Sequence, residues 1–218
     1  MRYAFFEKLR QKTHADIIAV AHNENDQAET FLLRLLRGSG MQGLAAMRPK
    51  HDRIIRPLIQ ISRDDILRYL TERRLAYRED RSNTDVRFLR NRIRHELLPL
   101  LEAKFQPRAK KILAQTAALL AEDYAAIEQL FPILPIRKMK GGLKLSRKTL
   151  LSRPDPVIRY QLRTVFTSSF KGRSPEKGVL DEIIKLIKSH KNKAQVITFR
   201  GLKLERRGDT VRLLKLPL

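Results

Sequence analysis

The stretch Asp16-Ile17-Ile18-Ala19-Val20-Ala21 constrains the fold more than any other part of the chain. A short unbroken apolar run between helical patterns reads as a strand buried on both faces of a parallel sheet. Before it, residues 2–12 read as an amphipathic helix, with Tyr3, Phe6 and Leu9 at helical spacing and Phe5 beside them. After it, His22 to Asn25 reads as a polar loop, and residues 26–37 as a strong helix ending at Gly38. Strand, loop and helix in that order predict an α/β domain. Such a strand needs neighbours, yet the first hundred residues offer only Arg53 to Leu58 as a second candidate. A doubly wound sheet has about five strands. The expectation is therefore an incomplete α/β domain.

The rest of the chain reads as mostly helical until its end. Ser62 and Asp65 form a candidate capping box for a helix through about Arg73. Residues 78–87 are a polar loop, and residues 88–98 a helix stopped by Pro99. A long Ala/Leu-rich helix at 107–130 opens a second region, followed by helical patterns near 146–152, 155–168 and 175–189. The closing stretch alternates and turns at Arg207-Gly208-Asp209, which predicts two or three strands with a hairpin. Two domains are expected: 1–104, α/β, and 105–218, smaller, mainly helical α+β and ending in the hairpin.

Charge points to a partner. The 218 residues hold 46 Lys and Arg against 23 Asp and Glu, a formal net charge of +23. The excess is concentrated: residues 131–218 carry 22 basic and 6 acidic side chains. A polyanion such as nucleic acid fits that distribution, and the plain alternative is a basic, well-solvated surface. Aromatics there are few, so contact with the backbone of a structured RNA is more natural than base stacking. The chain has no cysteine, which excludes disulfides, thiolate zinc sites and cysteine catalysis. No run approaches the ~20 apolar residues of a membrane helix, and the first residues have no signal-peptide core. A cytoplasmic protein that does not engage a membrane is expected.

Four constellations carry chemistry. The first runs from Ala21 to Thr30 and includes His22, Asp26 and Glu29. It lies where a strand ends and a helix begins, the place where open α/β sheets bind ligands and where helix N-termini attract phosphate. Its carboxylates are candidate Mg²⁺ ligands, although Asp26 and Glu29 are also ordinary residues for a helix start. The second is Arg34 and Arg37 ahead of Gly38-Ser39-Gly40: either a phosphate-facing edge or cations at a helix C-terminus. The third packs Arg90, Asn91, Arg92, Arg94 and His95 into one short segment. It reads as a donor cluster for phosphate or substrate, against a solvated helix face as the plain alternative. The fourth is the basic segment with Arg137, Lys138, Lys140, Lys144, Arg147 and Lys148, then Lys171, Arg173, Lys177 and Lys185 to Lys193. Phosphate contact and a solvated surface both remain open for it.

Taken together, IAVAHNENDQAETFLLRLLRGSGMQGLAAM, IIRPLIQISRDDI and REDRSNTDVRFLRNRIRHELLPLL resemble the tRNA(Ile)-lysidine synthetases in order and separation. The resemblance covers about residues 2–105 closely and the rest loosely. It implies the PP-loop ATP pyrophosphatase superfamily, with an adenine-nucleotide-hydrolase-like α/β domain and a smaller helical one. It implies ATP-dependent ligation of free lysine to the wobble cytidine of tRNA(Ile) through an adenylated intermediate, with ATP and Mg²⁺ as cofactors and a homodimer allowed. Carried over to this chain, Asp26, Glu29, Arg90 and Arg94 are the expected catalytic residues. His22 and Asp26 face the cofactor, and Asp26 and Glu29 hold Mg²⁺. Arg34, Arg37, Asn91, Arg137, Lys138 and Lys140 contact tRNA. Asn23 and Asn25 stand where the family often has a further His or Asp, so the metal ligation departs from the pattern. The family's Ser-Gly-Gly-x-Asp-Ser loop occurs nowhere in the sequence. Met1 is thus expected to fall inside the catalytic domain and the chain to be inactive alone. A non-enzymatic tRNA-binding module and a tRNA thiolase relative are the alternatives. The absence of cysteine weighs against the thiolase.

Overall fold

The computed structural model describes residues 2–78, 87–170, 175–191 and 193–216. Lys171, Arg173 and most of the polar loop expected at 78–87 lie outside the described residues. The chain divides into two compact units, residues 1–127 and 128–218.

The first unit begins with α1 (Arg2–Lys12), β1 (Ile18–Ala19) and α2 (Glu24–Leu36), the order that the apolar run predicts. A short α3 (Met41–Leu44) follows, then β2 (Lys50–His51), β3 (Ile54–Ile55) and α4 (Arg63–Glu72). β1 pairs in parallel with β3, and β2 pairs antiparallel with β3 across a tight turn. Asp52 takes φ +52° in that turn, and a short polar side chain tolerates the left-handed region better than most. The α/β character is as expected, but β1 is not buried on both faces. Ile17 is 48% exposed, Ala19 is exposed, and Ile18 and Val20 are only half-buried. The physical reason is the sheet's size. With two residues in each strand and β3 as its one partner among the described residues, β1 has little to cover it.

A second departure concerns Pro99. The helical stretch does not stop there. α5 (Leu89–Arg92) passes through one π turn, Ile93–Leu97, into α6 (Leu98–Lys104), with Pro99 in its first turn. The Leu98 N–H donates to the Ile93 carbonyl five residues back. That wider turn gives the proline ring room and places it where a missing N–H costs little. The long helix predicted at 107–130 forms as α7 (Ala109–Leu130), and its residues up to Ile127 close the first unit. Its core gathers Ala28 and Leu32 of α2 with Ile93 and Leu98, supported by Leu97, Leu101 and Leu113.

The second unit is a five-stranded antiparallel sheet packed with helices. Its strands are β4 (Arg137–Met139), β5 (Gly142–Ser146), β6 (Gln195–Phe199), β7 (Leu202–Arg207) and β8 (Thr210–Lys215). They are arranged β4-β5-β8-β7-β6. Its helices are α8 (Arg147–Leu151), α9 (Asp155–Ser169) and α10 (Lys177–Lys188), close to the predicted positions. The hairpin at Arg207-Gly208-Asp209 forms between β7 and β8. β4 and β5 were not legible, because a three-residue strand and a Gly-Gly turn carry too little alternation. α10 presents Leu180, Ile183, Ile184 and Ile187 on one face, all buried. They meet Phe166 of α9 and the inner residues Leu204, Val211 and Leu213 of the sheet. Full burial of each such side chain is worth roughly 1.5–3 kcal/mol. Arg159 on α9 clamps Asp181 on α10 at 2.6 and 2.9 Å and holds its carboxyl below the usual range.

Gly142 shows how tightly the sheet is built. A Cβ there would meet the Leu213 carbonyl oxygen at 2.0 Å, whereas one on Gly178 in α10 would meet nothing within 4 Å. Gly142→Ala is expected to lower unfolding stability by at least about 2 kcal/mol through overpacking. Gly178→Ala should raise it by ~0.5 kcal/mol. Chemical denaturation of the two variants checks both signs. The Asp181 pair adds a pH dependence. Its lowered pKa contributes stability above the usual carboxylate range that is lost as pH falls through the folded value. Asp181→Asn should therefore flatten the acid limb of the thermal stability profile.

Candidate active site

The site is built on the first turns of α2. Asn23 caps the helix: its Oδ1 accepts the Asp26 N–H at 3.0 Å, and Asp26 Oδ2 accepts the Asn23 N–H at 3.1 Å. This reciprocal pair fixes where α2 begins and which way Asp26 points. One turn on, Glu29 lies on the same face with its side chain only 1% exposed.

Two arginines from the α5 and π segment close on these carboxylates. Arg90 Nε donates to Glu29 Oε2 at 2.8 Å, and Arg90 Nη2 donates to Asp26 Oδ1 at 2.8 Å. Arg94 Nε donates to Glu29 Oε1 at 2.5 Å and its Nη2 to Glu29 Oε2 at 3.1 Å, with Asp26 Oδ1 at 3.4 Å. Burial pulls the Arg94 guanidinium down, but its hydrogen bond and charge pairing with Glu29, helped by Asp26, hold it above its ordinary value. A carboxylate as deep as Glu29 is tolerable because both its oxygens accept charged donors.

Beside this cluster lies a cavity of about 570 Å³, lined by Phe6 of α1, Ala19 to His22 after β1, Asp26 of α2, and Arg90, Asn91 and Arg94. It opens at the carboxyl end of a strand and the N-terminus of a helix, as the sequence reading expects. Five of the expected residues, His22, Asp26, Arg90, Asn91 and Arg94, are thus brought together on its wall, and Glu29 lies behind them. The others are elsewhere. Arg34 donates to the carbonyls of Gly43 and Ala46 at 2.7 and 2.8 Å, holding the chain after α3, and its burial pulls its pKa down. Arg37 is the exposed C-cap of α2. Phe6 and Asn23 had not been read as site residues. The spacing Asn23-x-x-Asp26 is the signal that could have revealed the cap.

The carboxylates are not a ready Mg²⁺ site as they stand. Asp26 gives one oxygen to the guanidinium groups and the other to the cap, and both Glu29 oxygens are taken. Among the described residues no group of three or more His, Asp or Glu side chains is placed to hold a metal ion. The chemistry of this wall is that of a charge-compensated pair of arginines facing a polar cavity. A second cavity, about 560 Å³, lies against the alanines of α7 and holds none of the expected residues. On its wall, burial pushes the Glu24 carboxyl up against the pull of Lys111.

Comparison with known proteins agrees with the motifs. A PP-loop domain matches residues 1–101. The tRNA(Ile)-lysidine synthase of Geobacter sulfurreducens is 50% identical over 164 residues, covering 72% of this chain and 35% of that protein. The synthase of Solibacter usitatus is 47% identical over 117 residues, covering 53% and 27%. That of Parabacteroides distasonis is 40% identical over 167 residues, covering 74% and 37%. Over its matched residues the chain is similar to the tRNA(Ile)-lysidine synthases, and its first 101 residues match the PP-loop domain. It spans about a third of the length of these relatives. The tRNA(Ile)-lysidine synthases are tRNA-modifying ligases, and the PP-loop domain implies the use of ATP.

Removing Arg94 would leave Glu29 buried with half its compensation. Arg94→Gln is expected to cost about 3 kcal/mol, and Asn23→Ala about 1 kcal/mol through loss of the cap. Urea unfolding of the three proteins checks the order.

Proposed function

We propose that this chain takes part in joining lysine to the wobble cytidine of tRNA(Ile), as part of an ATP-dependent ligase. The observation that carries the reading is the Asp26–Glu29–Arg90–Arg94 cluster on the cavity wall, inside the stretch similar to the synthases. Arg90 and Arg94 face the negative charge of the adenylated intermediate. Asp26 and Glu29 fix both guanidinium planes, so that the donors need not reorganise as charge develops. His22 and Asn91 line the same wall and orient the nucleotide or base. ATP supplies the adenylyl group when bound. The Ser-Gly-Gly-x-Asp-Ser loop is not among these 218 residues. Mg²⁺, when bound, would be held by Asp26 and Glu29 in competition with the two guanidinium groups. These 218 residues alone are expected to hold tRNA and not to turn over. A cytoplasmic location goes with that role, and no described helix is long and apolar enough to cross a membrane.

We assign the catalytic portion to residues 1–104 and the RNA-holding portion to 105–218. The sheet of the second unit supports the latter. Arg137, Lys144 and Arg212 are cross-strand neighbours in one row over β4, β5 and β8, and Glu205 of β7 stands beside Arg212 at its end. Three cations against one carboxylate leave the row a net positive strip that suits a polyanion. Lys138 pairs with the inward-facing Leu143 and so belongs to the other face, and Lys140 is exposed near the β4–β5 turn. Arg34 and Arg37 remain assigned to tRNA as a basic edge of α2. The missing loop favours one other reading, a non-enzymatic tRNA-binding module on the same scaffold.

Titration with tRNA(Ile) and, separately, with Mg·ATP tests the proposal. tRNA should bind with a steep salt dependence and a preference over generic polyanion, while ATP binds weakly or not at all. Tight ATP binding, or no preference for tRNA, would contradict it.

A further inference from the structure

Alternation along β7 places Leu202, Leu204 and Arg206 on the inner face of the sheet, and all three are buried. Arg206 is only 4% exposed. Its Nη2 donates to the Lys191 carbonyl and to Gln195 Oε1, while its buried Nε–H has no acceptor. No carboxylate stands among its hydrogen-bond partners. A buried guanidinium without a counter-charge is costly, and a buried donor left unspent calls for an explanation.

The explanation lies next to it. A cavity of about 250 Å³ is lined by Arg147, Ser189, His190, Lys191, Arg206 and Gly208, with no acidic residue on its wall. Arg147 is held in place there by donating Nε to the Ile187 carbonyl at 2.6 Å and Nη2 to the Ser189 carbonyl at 3.2 Å. Asp209 follows Gly208, but its carboxylate is already engaged. It accepts the Lys148 N–H at 2.6 Å and the Ser146 hydroxyl at 3.0 Å, at the start of α8. Those contacts turn it to the start of α8, and it does not line the cavity. Two anchored guanidinium groups and one lysine on an exposed residue surround a space whose wall holds no carboxylate.

We propose that this cavity is a phosphate pocket that takes one phosphodiester of an RNA backbone. The inference rests on the reading that the second unit holds RNA. Guanidinium forks match phosphate oxygens in geometry as well as charge, and the pocket wall has no Phe, Tyr or Trp on which to stack a base. The 22 basic and 6 acidic residues of 131–218 favour a polyanion over a small metabolite as the source of that phosphate.

The test uses the whole chain. Inorganic phosphate is titrated while the Arg206 Nε–H resonance is followed by NMR, with chloride at matched ionic strength as the control. Phosphate should move that resonance, chloride should not, and tRNA(Ile) should move it and displace phosphate. Arg206→Gln could fail to fold, so exposed Lys191 is changed instead. Lys191→Ala should reduce the slope of log K against log salt for tRNA by about 0.9, the loss of one phosphate contact. Lys12→Ala, on an exposed lysine of α1 in the first unit, should leave the slope unchanged. tRNA binding with the Arg206 signal unmoved, or equal slope changes for Lys191→Ala and Lys12→Ala, would overturn the pocket and leave the RNA reading standing. Absence of tRNA binding altogether would overturn that reading, and the RNA assignment with it, even if inorganic phosphate moved the signal.

Discussion

The Glu29 carboxylate, buried between Arg90 and Arg94, is the interaction on which the candidate site depends. α2 brings Asp26 and Glu29 on one face, and the α5 and π segment brings the arginines from more than sixty residues away. Neither partner could stay at that depth alone. An unpaired carboxylate there would have to protonate or drag water in. Together they lock two elements and present a polar wall to the cavity. Ala28 and Leu32 of α2 pack on Ile93 and Leu98 immediately beside them. The apolar contact brings the elements together, and the ion pairs set the orientation of the side chains that matter.

The second unit solves a different problem. Its apolar core is ample: α9 and α10 cover the inner face of the sheet with aliphatic and aromatic side chains, and Phe166 meets Phe199 edge-on with centroids 5.3 Å apart. That core supports a surface which a free-standing protein would not choose. Cations stand in register across three strands, and an arginine occupies an inward position at the end of β7. Each is a local cost that a negatively charged partner would lower. On the proposed reading, the first unit carries the reactive groups and the second the charge for the RNA backbone.

Much of this was legible in the sequence. The apolar run of β1, the caps and the periodicity of α7, α9 and α10 identified their elements because each signal is local. The acidic and arginine clusters were recognisable by residue type and spacing, and the family resemblance gave them a common place. Other features were hidden for physical reasons. Exposure of β1 depends on how many strands surround it, which a single apolar run does not encode. Passage of the helix through Pro99 depends on a π turn that no residue pattern announces. Arg34 reads in sequence as part of a basic helix edge, and its donation to two carbonyls is a long-range contact that spacing cannot show. The inward phase of Arg206 follows from its alternation with Leu202 and Leu204, although arginine is rarely found at an inward position.

The four charged groups are expected to act as one unit. A double-mutant cycle on Glu29→Gln and Arg94→Gln, read by urea unfolding, measures that coupling. The coupling energy should exceed about 1.5 kcal/mol, with the double variant less damaged than the sum of the single ones. Additivity within ~0.5 kcal/mol would contradict it, showing that the two side chains contribute separately and that the cluster does not organise the site.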